Sequence, residues 1–122
     1  MKTQDELLDR LFAGISEANL DAVAELYADD VEVWNSYSRR IFKREASLEL
    51  LRDFCSRVTD VRYEILERRH WESGAMQRHV LHVRVDAREH AIDVCMTFAF
   101  ADGRIRSVFE YVDGRALAPL GW

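Results

Sequence analysis

Three polar side chains occupy positions where a folded domain normally places apolar ones. Glu110 interrupts an apolar run near the C-terminus, His79 lies in an alternating apolar stretch, and Asn35 follows a short one. A carboxylate among apolar residues needs a partner or a chemical task. A carboxyl and an imidazole that share an apolar cavity can both have pKa values near neutrality, which suits proton transfer. We therefore predict Glu110 as a catalytic acid/base, His79 as its partner, and Asn35 as the group that orients a substrate carbonyl or a water.

A structural role for Glu110 is the competing interpretation. The carboxylate could be a buried one that His79, Arg106 or Tyr27 satisfies, with no chemistry at all. Structural networks of this kind also perturb pKa values. The residue types alone therefore leave both roles open.

The direction in which Glu110 points is a second open question. Glu110 shares strand parity with Val108 and Val112, but the opposite face of the same strand, with Ile105, Phe109 and Tyr111, is also apolar. If that second face were the inner one, Glu110 would point outward and the proposed pair would not form.

The elements that must position these residues begin with helices. Thr3 and Glu6 form a capping box ahead of apolar residues at helical spacing, which predicts a first helix. Asn19 can cap a second helix that ends at Asp29-Asp30. The pattern then predicts a short strand over 31–35, a polar loop over 36–43 and a third helix over 44–58.

After Asp60 the apolar period changes from 3.6 to 2, which predicts long strands joined by tight turns. Asp102-Gly103, between two alternating runs, is a strong hairpin signal because both residues tolerate a positive φ. Helices followed by consecutive strands indicate an α+β fold with an antiparallel meander. A twisted meander with helices on one face curls into a cone, and a pocket forms where the helices do not fill it.

Strand parity indicates which strand residues would line this pocket. Trp34 has the opposite parity to Asn35, so we expect it on the outer surface. Besides Glu110, His79 and Asn35, the predicted ligand-binding residues are Tyr37 at the mouth of the pocket, Phe54, Leu81, Met96, Phe98, Val108 and Val112.

Composition bounds the possible partners of this 122-residue chain. A net charge of −5 argues against a nucleic-acid partner, and no apolar run is long enough for a membrane span. The polar, acidic N-terminus is unlike a secretory signal, so we expect a cytoplasmic protein. The two cysteines and four histidines lack the spacing of metal ligands. We therefore expect no metal and no cofactor, and a hydrophobic small molecule as the ligand.

Two segments resemble a known superfamily. They are Ala18-Asn-Leu-Asp-Ala-Val-Ala-Glu-Leu-Tyr-Ala-Asp-Asp-Val-Glu-Val33 and, much later, Phe100-Ala-Asp-Gly-Arg-Ile followed by Glu110-Tyr-Val-Asp113. This pattern is similar to the nuclear transport factor 2-like superfamily, and most similar to its SnoaL-like and ketosteroid isomerase-like branch. The resemblance implies a cone of curved antiparallel sheet wrapped around three N-terminal helices in a single domain over residues 1–122. It also implies a homodimer through the outer face of the sheet.

The resemblance to ketosteroid isomerases implies three reactive groups that this chain lacks. Asn35 stands where those enzymes have their aspartate base, Leu11 where they have the oxyanion-hole tyrosine, and Met96 where they have a buried acidic donor. A ketosteroid isomerase is therefore not expected. Tyr27 corresponds to a tyrosine that hydrogen-bonds into the site of those enzymes, so the resemblance implies that Tyr27 is a ligand-binding residue.

The resemblance to limonene-epoxide-hydrolase-like members is partial. Asn35 matches their asparagine and Glu110 stands at one of their aspartates, while Val33, His79 and Leu81 replace a tyrosine, an arginine and an aspartate. The resemblance to SnoaL-type polyketide cyclases implies an acid/base in the pocket and an acidic substrate, and the sequence is compatible with both.

The sequence thus predicts a small cofactor-independent enzyme of isomerase, cyclase or hydrolase type that acts on a hydrophobic molecule. The alternative is a non-catalytic domain of the same fold that binds small molecules or proteins. Leu11, Leu81 and Met96 favour the alternative, because they place apolar groups where relatives keep reactive ones.

Overall fold

Three helices occupy the first half of the chain in a computed structural model that describes residues 2–122. They are α1 (Gln4–Ser16), α2 (Leu20–Leu26) and α3 (Arg44–Arg57). The capping box forms, since the Glu6 amide donates to Thr3 Oγ1 at 3.1 Å, and the Ala22 amide donates to Asn19 Oδ1 at 3.3 Å. The predicted extension of the second helix to Asp29-Asp30 is wrong. The backbone becomes extended at Tyr27 because that residue enters the sheet opposite Ile105, and this pairing overrides the helical spacing.

The sheet has six strands in the order β2-β1-β6-β5-β4-β3. The long strands β3 to β6 form the predicted antiparallel meander. Two details differ from the prediction: β1 pairs with β6 in parallel, and a two-residue strand pairs with β1 inside the predicted loop. The strands are β1 (Tyr27–Asn35), β2 (Ile41–Phe42), β3 (Thr59–Trp71), β4 (Gly74–Val85), β5 (Arg88–Ala101) and β6 (Arg104–Val112).

The hairpin between β5 and β6 forms at the predicted Asp-Gly turn. Asp102 and Gly103 both have positive φ, 54° and 73°, as a two-residue hairpin turn requires. Close to the turn, the pairing of β5 with β6 shifts by one residue between Ala99 and Phe100. This bulge changes the parity of β6, so that Ile105 and Val108 are both buried on the inner side although their numbers differ by three.

Helix α1 forms the centre of the core against the concave side of the sheet. Its apolar stripe, which includes Leu8 and Leu11, is buried. After the sheet the chain forms α4 (Gly114–Leu117) and a 3-10 helix (Ala118–Leu120), which bring Trp122 against Phe54 of α3. Within residues 2–122, no helix has the length and apolar character to cross a membrane. The observed architecture confirms the predicted cone-shaped α+β fold.

Candidate functional site

A cavity of about 140 Å³ lies between the concave face of the sheet, helices α1 and α3, and the C-terminal segment. A cavity of that size accommodates a ligand about as large as benzene. Tyr37 lies on its wall and is 43% exposed, so the cavity meets solvent beside this residue.

Nine of the eleven predicted site residues lie on the wall of this cavity. They are Tyr27, Asn35, Tyr37, Phe54, Leu81, Met96, Val108, Glu110 and Val112. Phe109 and Tyr111, 39% and 52% exposed, lie on the opposite face of β6. The open question of parity is therefore resolved, and Glu110 points into the cavity.

Glu110 carries the only side-chain carboxylate among the described residues that line the cavity. It is paired in register with Asn35 of β1 and with Met96 of β5, which places its side chain at the centre of the inner face. Within residues 2–122, no group donates a hydrogen bond to its carboxylate. Burial without a compensating donor raises the pKa of Glu110 to about 7. The carboxyl group is thus able both to accept and to release a proton near neutral pH.

Asn35 presents an amide donor beside this carboxylate. Its Oδ1 accepts hydrogen bonds from the Ser38 amide at 2.9 Å and the Ser38 hydroxyl at 2.6 Å. A backbone N–H can only donate, so Oδ1 must face Ser38 and the orientation of the side-chain amide is fixed. The Asn35 Nδ2 group has no acceptor in the described part of the chain and remains available to a ligand.

Tyr27 and Tyr63 add phenol hydroxyls to the same region. Both side chains line the cavity, and burial together with the nearby Glu110 charge raises the pKa of each phenol above its usual value. Tyr37, at the rim, has its pKa raised by the same two causes. The three phenols therefore stay protonated at neutral pH and can donate hydrogen bonds to a ligand oxygen.

His79 is not the partner of Glu110, contrary to the prediction. It does not line the cavity, no hydrogen bond joins it to Glu110, and it is enclosed by the rings of Phe12 and Tyr63. Its Nδ1 lies 2.9 Å from Gln77 Nε2. Gln77 Oε1 in turn accepts from Arg68 Nε at 2.8 Å.

This chain of contacts fixes the tautomer of His79. Because Arg68 occupies Gln77 Oε1, the Gln77 amide must donate to His79 Nδ1, and the neutral ring therefore carries its proton on Nε2. If His79 Nδ1 carried a proton, its N–H group would face the N–H group of Gln77, and no hydrogen bond could form between them. Burial, together with the Arg68 charge, lowers the pKa of His79 to about 4. A neutral, enclosed imidazole cannot shuttle protons at pH 7.

Phe98 also lies outside the cavity. It is buried beneath α1, with ring centroids 6.3 Å from those of Phe12 and Phe100. Phe98 lies on the predicted inner face of β5, but the cavity extends along this strand only as far as Met96, because Phe12 fills the space beyond it. Trp34 lies on the outer face against Tyr111, at a centroid separation of 5.1 Å, as its parity predicts.

Several residues of the cavity wall lie outside the predicted set. Leu117 and Trp122 come from the C-terminal segment, for which no element was predicted. Tyr63 lies in β3 opposite Leu81 and on the same side of the sheet, and the apolar alternation after Asp60 was the available signal. Leu11 and Phe12 belong to the buried apolar stripe of α1 and also line the cavity.

The assembled site can transfer a proton to or from an uncharged molecule. One carboxyl with a pKa near 7 faces an otherwise apolar space, with an amide donor and phenol donors around it. A carboxylate base next to neutral hydrogen-bond donors can remove a proton from carbon or water while the donors stabilise negative charge on oxygen.

Comparisons with known proteins identify a family from the sequence and a fold from the structure. The sequence model of the SnoaL-like domain matches residues 8–108. No match was found among curated proteins. Many solved structures share the fold, and three of them follow.

The first of these is a protein from Shewanella denitrificans OS-217 assigned as a SnoaL-like polyketide cyclase, with 12% identity, a TM-score of 0.83, and coverage of 95% of this chain and 94% of that one. IdmH from Streptomyces antibioticus, assigned as a polyketide cyclase, has 14% identity, coverage of 97% and 98%, and a TM-score of 0.84. An LEH-like epoxide hydrolase from M. tuberculosis has 19% identity, coverage of 93% and 85%, and a TM-score of 0.78. At these identities the similarity establishes the fold.

Proposed function

The chain belongs to the SnoaL-like domain family, and on that premise we propose that it is a small enzyme of isomerase, cyclase or hydrolase type that uses Glu110 as a general acid/base and needs no cofactor. The observation that carries the proposal is that the Glu110 carboxylate faces an apolar cavity and that no group within residues 2–122 donates a hydrogen bond to it. A structural carboxylate would be expected to have such a donor. The substrate is a hydrophobic molecule with a polar oxygen.

The first step is proton removal by the Glu110 carboxylate. For a carbonyl substrate, the carboxylate takes a proton from the carbon next to the carbonyl, and the electron pair of that C–H bond moves to the carbonyl oxygen. Asn35 Nδ2 and the hydroxyls of Tyr27 and Tyr63 supply the donors for the resulting oxyanion. Glu110, now protonated, returns the proton to carbon or to a leaving oxygen. In a hydrolase the same carboxylate would take the proton from a water.

Deuterium exchange tests this step without knowledge of the natural substrate. Cyclohexanone fits the cavity, and the protein in D₂O should accelerate exchange of its α-protons, followed by NMR or mass spectrometry. We expect Glu110→Gln to reduce the catalysed rate by about 100-fold or more. The matched control is Glu25→Gln, which removes an exposed carboxylate on α2 and should keep the full rate. Equal exchange rates in the wild type and Glu110→Gln would refute general acid/base catalysis by Glu110.

A binding domain without turnover is the second candidate. The apolar side chains of Leu11, Leu81 and Met96 around Glu110 support it, because a ligand could be held by burial of apolar surface alone. Native mass spectrometry of the protein purified from its own host separates the candidates. A retained hydrophobic molecule that the protein leaves chemically unchanged would favour the binding domain.

We also propose that two copies associate through the outer face of the sheet. Trp34, Phe109 and Tyr111 form an aromatic cluster there, with Trp34 6.0 Å from Phe109 between ring centroids. Exposed aromatic clusters of this kind are typical of protein interfaces. The second copy would cover the cluster and leave the cavities on the inner faces free.

A further inference from the structure

We propose that the cavity binds small lipophilic amines in their protonated form, with the ammonium group against the Glu110 carboxylate. The proposal concerns binding alone. It therefore holds or fails independently of turnover at the same site.

The first argument is the charge of the cavity. None of its lining residues within the described chain is a lysine, an arginine or a histidine, so Glu110 has no counter-charge on the wall. An ionised carboxylate in an apolar space is costly until a cation neutralises it. An ammonium ligand supplies that cation. A carboxylate ligand would add a second negative charge beside the first.

The second argument is the aromatic surface around the carboxylate. Phe12, Tyr27, Phe54 and Tyr63 line the same cavity, and the face of an aromatic ring attracts a cation. The hydroxyl oxygens of Tyr27 and Tyr63 can in addition accept N–H hydrogens that Glu110 does not use. A neutral ketone gains none of these charge-dependent contacts.

The third argument is size. With about 140 Å³ available, the cavity holds a six-membered ring with one polar substituent. Cyclohexylamine, cyclohexanone and cyclohexanecarboxylate share that ring and are cationic, neutral and anionic at pH 8. This series varies charge while keeping the apolar surface nearly constant.

Calorimetric titration of the purified protein with these three compounds at pH 8 tests the proposal. We expect cyclohexylamine to bind at least about tenfold more tightly than cyclohexanone, since hydrogen bonds to charged groups exceed neutral ones by that much. Cyclohexanecarboxylate should bind most weakly. In Glu110→Gln the amine should lose at least about tenfold in affinity and the ketone should change little. Glu25→Gln should reproduce the wild type.

The pH dependence in the wild type provides a test that does not depend on folding of the variant. Among the groups facing Glu110, the titratable ones are Tyr27, Tyr37 and Tyr63, and all three stay protonated because their pKa values are raised. Amine affinity should therefore rise between pH 5.5 and 8 as Glu110 ionises, and ketone affinity should not rise. An amine that binds no more tightly than the ketone at pH 8, or with a flat pH profile, would overturn the proposal. If the wild type binds the amine but does not accelerate α-proton exchange, the proposed enzyme activity is refuted and the amine-binding proposal stands.

Discussion

Replacing Glu110 by glutamine should make folding stability respond to pH in a way that identifies the buried carboxyl. Glutamine keeps the size of the side chain and removes its charge. The pKa of Glu110 rises from an ordinary 4.5 to about 7 on folding because burial disfavours the ionised form. Between these values the folded protein retains a proton that the unfolded chain has lost. Wild-type stability therefore falls as the pH rises through this window.

The magnitude follows from the pKa difference. Each pKa unit corresponds to about 1.36 kcal/mol, so the ionised Glu110 costs the folded state up to ~3 kcal/mol above pH 7. That is a large share of the ~5–15 kcal/mol that stabilises a typical domain. The difference in unfolding free energy between Glu110→Gln and the wild type should grow by this amount from pH 4.5 to 7.5 and then stay constant.

His79 changes the folding stability with pH in the opposite direction, and Glu110→Gln makes this change measurable. Its pKa falls from 6.5 to about 4 on folding, so the unfolded chain binds a proton that the folded protein does not, and stability rises with pH over that range. In the wild type the two contributions largely cancel between pH 4.5 and 6.5. In Glu110→Gln, His79 acts alone, and stability should increase with pH in that interval.

Urea denaturation at pH 4.5, 5.5, 6.5 and 7.5, followed by circular dichroism, measures these differences. Glu25→Gln is the matched control, because its carboxylate is exposed and its loss changes the net charge by the same amount. A free-energy difference between Glu110→Gln and the wild type that does not vary with pH would show that Glu110 is solvated. The assignment of Glu110 as the acid/base would then lose its physical basis.

Three further predictions concern the surroundings of the site. Gln77→Glu should raise the pKa of His79 well above 4, because a carboxylate accepts a hydrogen bond from a protonated Nδ1. NMR titration of the histidines measures this pKa, and an unchanged value would contradict the prediction. Arg57→Gln should cost about 1 kcal/mol and speed amide exchange near Trp122, since the guanidinium lies 4.9 Å from the centre of that ring. Exchange equal to the wild type would mean that Arg57 does not hold the segment. Tyr111→Lys should convert the proposed dimer to monomers in native mass spectrometry, whereas a variant that stays dimeric would place the interface elsewhere.

Much of the fold was predictable because its signals are local. The capping box at Thr3, the alternation of β5 and the Asp102-Gly103 turn each depend on a few neighbouring residues, and each forms as predicted. The end of α2 was not predictable, because Tyr27 leaves the helix to pair with a strand 78 residues later, and local spacing contains no record of that pairing. The parallel addition of β1 to β6 was missed for the same reason.

For the site, strand parity was enough to place Glu110 and Asn35 on one face, since a period of two applies along each strand. Parity could not show how far the cavity extends along that face. His79 shares parity with Leu81, yet Phe12 covers the histidine and leaves the leucine on the cavity wall. The contacts of Gln77 with Arg68 and His79, which decide the tautomer, join β3 to β4 and have no sequence signature.

The parallel pairing of β1 with β6 has a consequence for how the protein folds. Asn35 and Glu110 become neighbours only when a strand from the first third of the chain docks on the last strand of the meander. Contacts so distant in sequence carry a high loop-closure cost and are expected to form late. Ligand binding in a stopped-flow refolding experiment should therefore lag behind formation of the β3–β4 hairpin. The site would serve as a reporter of the final folding step.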